Sequence, residues 1–379
     1  MRDMRKHPLA APDLRSVLRE VRAGAADRDA NPGFPDAPFQ ALAASGVLAM
    51  SVPDPTPEVR RKAPFSEEWR ILRAVARADG SVGRILDGHL NGVERVAVLA
   101  PEPLRSNDLE AVVAGELLLG VWGADPIPGE GAPARLMETA NGQEVEGVKT
   151  FCSGSTGLDR ALVAVRAPES DGPGPPLLAY AALDGSVEVY EGWFRGSGMR
   201  ASESHRVVFH GTPVLAVLGG RGELIQEPYF SRDAVRTAVT WAGIADSAVD
   251  AAVEILAAKS GGEPDDIVSL AAGKMLAAQG TIDRWLEYAS GFADENPEDS
   301  MAPFSIHLRE SIAAACRGIL DEAARAVGSH PFATAGDLDR ARRDLGLFLL
   351  QHRLEPALAR AGRREIRARA SAEGDDASG

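Results

Sequence analysis

Residues 151–157 read Phe-Cys-Ser-Gly-Ser-Thr-Gly and lie between two strand-like stretches, "VEGVKT" and "RALVAV". A plain hairpin would close there with two residues such as Asn-Gly. This segment instead offers one aromatic ring, a thiol, the hydroxyls of Ser153, Ser155 and Thr156, and flexible backbone. Such a set can lie against a flat polar ligand; a solvated Ser/Gly loop accounts for the same residues.

The remaining reactive side chains narrow the chemistry. Histidines stand at 7, 89, 205, 210, 307, 330 and 352, without the paired spacing of H-E-x-x-H, and the two cysteines, Cys152 and Cys316, form no C-x-x-C. Neither a metal centre nor a disulfide framework is expected. His352 follows the apolar run "LGLFLL", where its imidazole either faces an interior cavity or meets solvent at a helix end. No G-x-G-x-x-G opens a helix after a strand, and neither a G-x-x-x-x-G-K-[ST] loop nor a G-x-S-x-G elbow occurs. Rossmann, P-loop and serine-hydrolase chemistry therefore lack their signatures.

These residues must be positioned by three regions. Residues 1–116 have apolar positions at helical three- and four-residue spacing, with Ser66 and Glu68 resembling a helix start. Residues 117–213 break into short strand-like pieces punctuated by Gly, Pro and Asp, which predicts a small antiparallel β domain. Residues 214–367 return to long Ala-rich helical segments with short links, a four-helix bundle, and 368–379 are expected to be a disordered tail. The fold class is α+β.

Composition agrees. The net charge of −14 and pI near 5.1 argue against nucleic-acid binding, and 45% hydrophobic with 25% charged residues is the balance of a soluble globular chain. The charged N-terminus does not read as a signal peptide and no stretch is long and apolar enough for a membrane span, so a reducing cytoplasm is the expected setting.

In its helix–sheet–helix order and in four segments the chain resembles the acyl-CoA dehydrogenase family, over residues 38–365. In "GVWGADPIPGE", Asp125-Pro126 matches a family Glu-Pro, Gly129 a family Gly, and Ala124 replaces a Thr. "GVKTFCSGSTGLDRALVAV" resembles G-x-K-x-W-I-T-N-G, with Phe151 in the Trp position and Ser153 in the Thr position. "GWFRGSGMRASESHRVVFHG" keeps Gly198, Arg200, Ser202, Val208 and Phe209, and "AARAVGSHPF" before "RARRDLGLFLLQH" keeps Gly328, Phe332, Arg343 and Asp344.

The resemblance implies a homodimer or homotetramer binding FAD through Trp122, Ala124, Gly129, Phe151, Ser153 and Gly328. It also implies an acyl-CoA or related acyl substrate near Arg200 and Ser202, and an electron-transfer flavoprotein as partner. Departures accompany it. The family's catalytic Glu, nine residues after the Arg of the Arg-Asp pair, is His352 here, with Glu355 one turn on. The alternative Glu position is Thr237, and an Arg-x-x-Phe-Gly flavin contact is replaced by "AAKSGGEPDD". Three functions are compatible with this pattern: an acyl-CoA dehydrogenase-like oxidoreductase, a monooxygenase-like relative using reduced flavin and oxygen without a carboxylate base, or a non-catalytic flavin-binding or assembly protein.

Overall fold

The computed structural model describes residues 11–54, 63–140, 142–168, 172–351 and 353–376. The first region comprises α1 (Ala11–Ala23), α2 (Ala25–Ala30), α3 (Asp36–Ala44), α4 (Phe65–Ala78), α5 (Gly80–Leu99) and α6 (Leu104–Ala114). Helix α5 starts where the Asp79 side chain accepts from the Ser81 and Val82 amides. Helix α4 is capped across the fold instead: the Phe65 and Ser66 amides donate to the Asp294 carboxylate.

The middle region holds β1 (Leu119–Trp122), β2 (Arg135–Thr139), β3 (Gly142–Cys152), β4 (Arg160–Val165), β5 (Leu177–Ala182), β6 (Val187–Tyr190) and β7 (His205–Leu218). The strands run in the order β1-β4-β5-β7-β3-β2, with β6 also on β7. Strand β7 joins two halves, pairing β3 and β6 through its first part and β5 through residues 214–218. It continues past the expected boundary at 213. The expected all-antiparallel sheet acquires one parallel pair, β1 with β4, because the chain leaves β1 and returns through β2 and β3 before β4 reaches the same edge.

The last region is α7 (Tyr229–Ser260), α8 (Asp266–Glu295), α9 (Ala302–Val327), α10 (His330–Ala333), α11 (Asp337–Phe348) and α12 (Glu355–Asp376). Helix α12 occupies most of the stretch expected to be a tail, helped by the i,i+4 pair Arg369–Glu365 at 2.7 Å. Small residues let the long helices approach closely: a Cβ on Gly243 of α7 would lie 2.3 Å from the Arg73 carbonyl oxygen of α4.

The first region and the bundle are also tied by buried charge. The Arg236 Nε of α7 donates to Glu68 of α4 at 2.7 Å, and its Nη1 donates to Glu94 and Asn91 of α5 at 2.7 and 3.0 Å. Arg232 donates to the other Glu94 oxygen at 2.9 Å. No described helix is long and apolar enough to cross a membrane.

Candidate functional site

A cavity of about 570 Å³ opens where the strand ends of the β layer meet the end of α11. The strand side contributes Ala124, Phe151, Ser153, Ser202 and Ser204; the helix side contributes Leu347, Phe348, Leu350 and Gln351, with Arg84 of α5 alongside.

Local backbone explains how Phe151 reaches it. The β3–β7 register shifts between Lys149 and Cys152, and Phe151 takes φ of 53°, a conformation that bulky residues rarely adopt. The irregularity turns the ring out of the sheet. Phe151 is 51% exposed, which leaves a face free for a planar ligand, while its edge meets Trp193 at 5.0 Å and Phe194 at 6.5 Å. Beneath it, Lys149 is buried and its ammonium donates to the Gly123 and Ala164 carbonyls and to Asp125, holding the turn after β1. Burial lowers the Lys149 pKa and raises that of the neighbouring Cys152 thiol, which stays protonated and unreactive.

Three hydroxyls form a chain on the cavity wall. Ser204 Oγ lies 2.9 Å from Ser153 Oγ and 2.8 Å from Ser202 Oγ. Trp122 is buried behind them and donates from Nε1 to the Ser153 carbonyl at 3.1 Å, so it orients the serine without lining the cavity. Arg200 lines a neighbouring cavity of about 500 Å³, together with Glu203 and His205, and Phe194 is the wall common to both. Gly129 and Gly328 are exposed, with φ of 98° and 76°, and line neither cavity. His352 lies outside the described residues. Gln351 lines the first cavity and Glu355 is exposed at the start of α12.

Sequence reading missed Ser204 and Asp233. Ser204 stands two residues after Ser202 in "RASES", and the chain passes from a 3-10 turn at Arg200–Ser202 through Glu203 at φ of 48°, a local fold that no side-chain period announces. Asp233 is one helical turn before Thr237 and lines, with Thr237, Asn91 and Arg309, a recess of about 160 Å³ that shares Arg84 and Val121 with the main cavity. Burial pushes the Asp233 carboxyl up to about 7, outweighing Arg95, whose Nη2 donates to it at 2.6 Å, and the more distant Arg236.

No protein-family model matches the chain. Over 214 residues, 53% of the chain, it is 28% identical to a dibenzothiophene monooxygenase of Rhodococcus erythropolis, and the match spans 48% of that protein. It is 26% identical to an L-evernosamine nitrososynthase of a Micromonospora species over 88% of the chain and 83% of that protein. Among solved structures, FMN-bound TdsC, a dibenzothiophene monooxygenase of Paenibacillus sp. A11-2, superposes with a TM-score of 0.80 at 19% identity, covering 94% of this chain and 97% of that one. Methanesulfinate monooxygenase of Pseudomonas fluorescens superposes with a TM-score of 0.77 at 21% identity, over 95% and 97% of the two chains.

The chain has the acyl-CoA dehydrogenase-like fold. In this fold the 570 Å³ cavity lies between the middle β layer and the last helices. Its described lining residues include no carboxylate and no imidazole.

Proposed function

We propose that the chain is a flavin-dependent monooxygenase that oxygenates a sulfur, a nitrogen or an electron-rich ring of a small molecule. The observation that carries this reading is the cavity itself. It pairs an exposed aromatic face with a chain of three hydroxyls, and no carboxylate base stands among its described lining residues. Removing a proton α to a thioester calls for a base in the cavity itself, and Asp233 lines only the adjoining recess, so acyl-CoA dehydrogenation fits less well. The relatives named above support the monooxygenase reading over the acyl-CoA one.

The residues fit a flavin. A volume of about 570 Å³ is in the range of small-molecule sites, roughly 300–1,000 Å³. Phe151 would cover the ring system, and Ser153 and Ser204 would hydrogen-bond its polar edge. FMN is the flavin proposed in place of FAD, because the Paenibacillus relative carries FMN. Reduced flavin bound there supplies two electrons, so that one atom of O₂ enters the substrate and the other leaves as water. Asp233, with a carboxyl near 7, is the group proposed to hold and release the proton needed for that water. Leu347, Phe348 and Met199 add apolar wall to the cavity. Exposed Ile267, Leu270, Leu276 and Tyr288 on α8 support assembly of further copies through that helix.

Flavin binding tests the cavity directly. FMN titrated into the full chain should quench or shift flavin fluorescence saturably. Phe151→Ala should weaken binding about tenfold through loss of stacking, and Ser204→Ala severalfold through loss of a hydrogen bond. Unchanged affinity in both variants would remove the cavity from consideration as the flavin site.

A further inference from the structure

A second cavity, of about 670 Å³, lies beneath α12 at the N-terminal ends of α7 and α9. Six of its lining residues are arginines: Arg309, Arg353, Arg360, Arg363, Arg364 and Arg367. Four of them, at 360, 363, 364 and 367, recur at the spacing that puts side chains on one face of a helix. Glu227 is the one carboxylate among the described lining residues, and it already accepts from the Ser231 hydroxyl. In a chain with a net charge of −14, this is a local excess of positive charge.

Arg309 marks the inner end. Its side chain packs over the Trp241 ring, with Cζ 5.5 Å from the centroid, and its Nε and Nη2 are buried with no hydrogen-bond partner among the described residues. Burial pulls its pKa down to about 10, and Asp87 only partly offsets this. Two buried guanidinium nitrogens without a partner are costly to the folded chain, and an anion at that position would supply one. Arg309, Phe230 and Ala234 also line the recess beside Asp233, and Gln351 also lines the flavin cavity.

We propose that the arginine-lined cavity binds the phosphate or diphosphate group of the substrate, leaving the part to be oxygenated to extend past Arg309 and Gln351 toward Phe151. Guanidinium groups match phosphate oxygens in bidentate pairs, and Arg309, Arg353, Arg360, Arg363 and Arg364 against one carboxylate among the described lining residues suit a multiply charged anion better than a single carboxylate. The assignment of the phosphate to the substrate rests on the monooxygenase reading; the anion site itself does not.

The test is calorimetric titration of inorganic pyrophosphate into the full chain without flavin. One saturable site is expected, weakening as salt rises. Arg309→Gln should weaken it about tenfold or more, and the Arg363→Gln/Arg364→Gln double variant likewise. Arg317→Gln, at an exposed residue of α9 paired with Glu310, should leave it unchanged. Without ligand, Arg309→Gln should melt no lower than the parent, since it removes a poorly compensated buried charge, so lost binding would not reflect lost folding. Absence of saturable binding, or parental affinity in both arginine variants, overturns the proposal. Competition by FMN but not by riboflavin would assign the site to the flavin's own phosphate and overturn the substrate assignment. Pyrophosphate binding in a chain that fails to take up flavin would leave the anion site standing while the flavin reading falls.

Discussion

Arg236→Met is expected to destabilise the chain by about 3–5 kcal/mol, the range for breaking a buried ion pair from one side. Both Arg236 and Glu68 have fully buried side chains, and Glu94 is nearly so. Methionine approximates the volume of the arginine stem but removes the cation that the two buried carboxylates share, while Arg232 still donates to Glu94 and Ser51 to Glu68. Mutual repulsion and desolvation then act together on α4, α5 and α7, the three helices that the guanidinium joins. Adding Glu68→Gln and Glu94→Gln to Arg236→Met should recover part of the loss, because the cost lies in the uncompensated charge and not in the missing contact. Thermal melting followed by circular dichroism checks this. A midpoint equal to the parent's would mean that the network contributes nothing net.

Gly198→Ala should cost at least about 3 kcal/mol and weaken flavin binding beyond what the stability loss explains. An added Cβ would stand 2.1 Å from the Arg343 carbonyl oxygen and 2.4 Å from the Asp344 amide nitrogen, and both are backbone atoms that no rotamer change can move aside. The same joint carries three further links. The Met199 amide donates to Asp344, Arg343 donates to the Ser197 carbonyl at 2.6 Å, and Arg343 pairs with Asp29 at 2.6 Å. Forcing α11 off the β layer displaces Leu347, Phe348 and Gln351, one wall of the cavity. Gly129→Ala is the contrast. That glycine also has left-handed φ but open space around it, so backbone strain of about 1 kcal/mol is expected, with FMN affinity unchanged. Denaturant unfolding and FMN titration of the two variants measure both effects; equal behaviour would contradict the role given to the Gly198 joint.

The residues of that joint were legible in the sequence as motif residues, though their contact was not, and the three regions were legible too. Gly198, Arg200, Arg343 and Asp344 are local motif residues, and helical and strand periods survive in single stretches. Phe151 and Ser153 were legible for the same reason, since one short segment holds both. What escaped depends on residues far apart in the chain. Arg236 meets Glu68 across 168 positions, and Asp294 caps a helix that begins 229 positions earlier. Neither partner has any local signal. Asp233 and Arg309 acquire their character only from burial, which the surrounding helices impose. Periodicity also could not separate a residue that lines a cavity from one that supports it. Trp122 sits behind Ser153, and Arg200 lines the cavity next door. The Gly-rich positions 129 and 328 were read from a motif, whereas their surroundings in this chain are exposed. A parallel pairing between β1 and β4 is a property of topology that alternating side chains do not encode.

The measurement that tests the function most directly combines isotope labelling with an anaerobic control. Chemically reduced FMN bound to the full chain is mixed with ¹⁸O₂ and a panel of sulfides, sulfinates, primary amines and indole, with and without a phosphate ester on the substrate. In parallel, oxidised flavin bound to the protein is exposed to acyl-CoAs without oxygen. One ¹⁸O atom is expected in the product of at least one panel member, formed about 10²-fold more slowly by Asp233→Asn, with no bleaching of the oxidised flavin by any acyl-CoA. Bleaching by an acyl-CoA, with no ¹⁸O in any product, would contradict the monooxygenase reading.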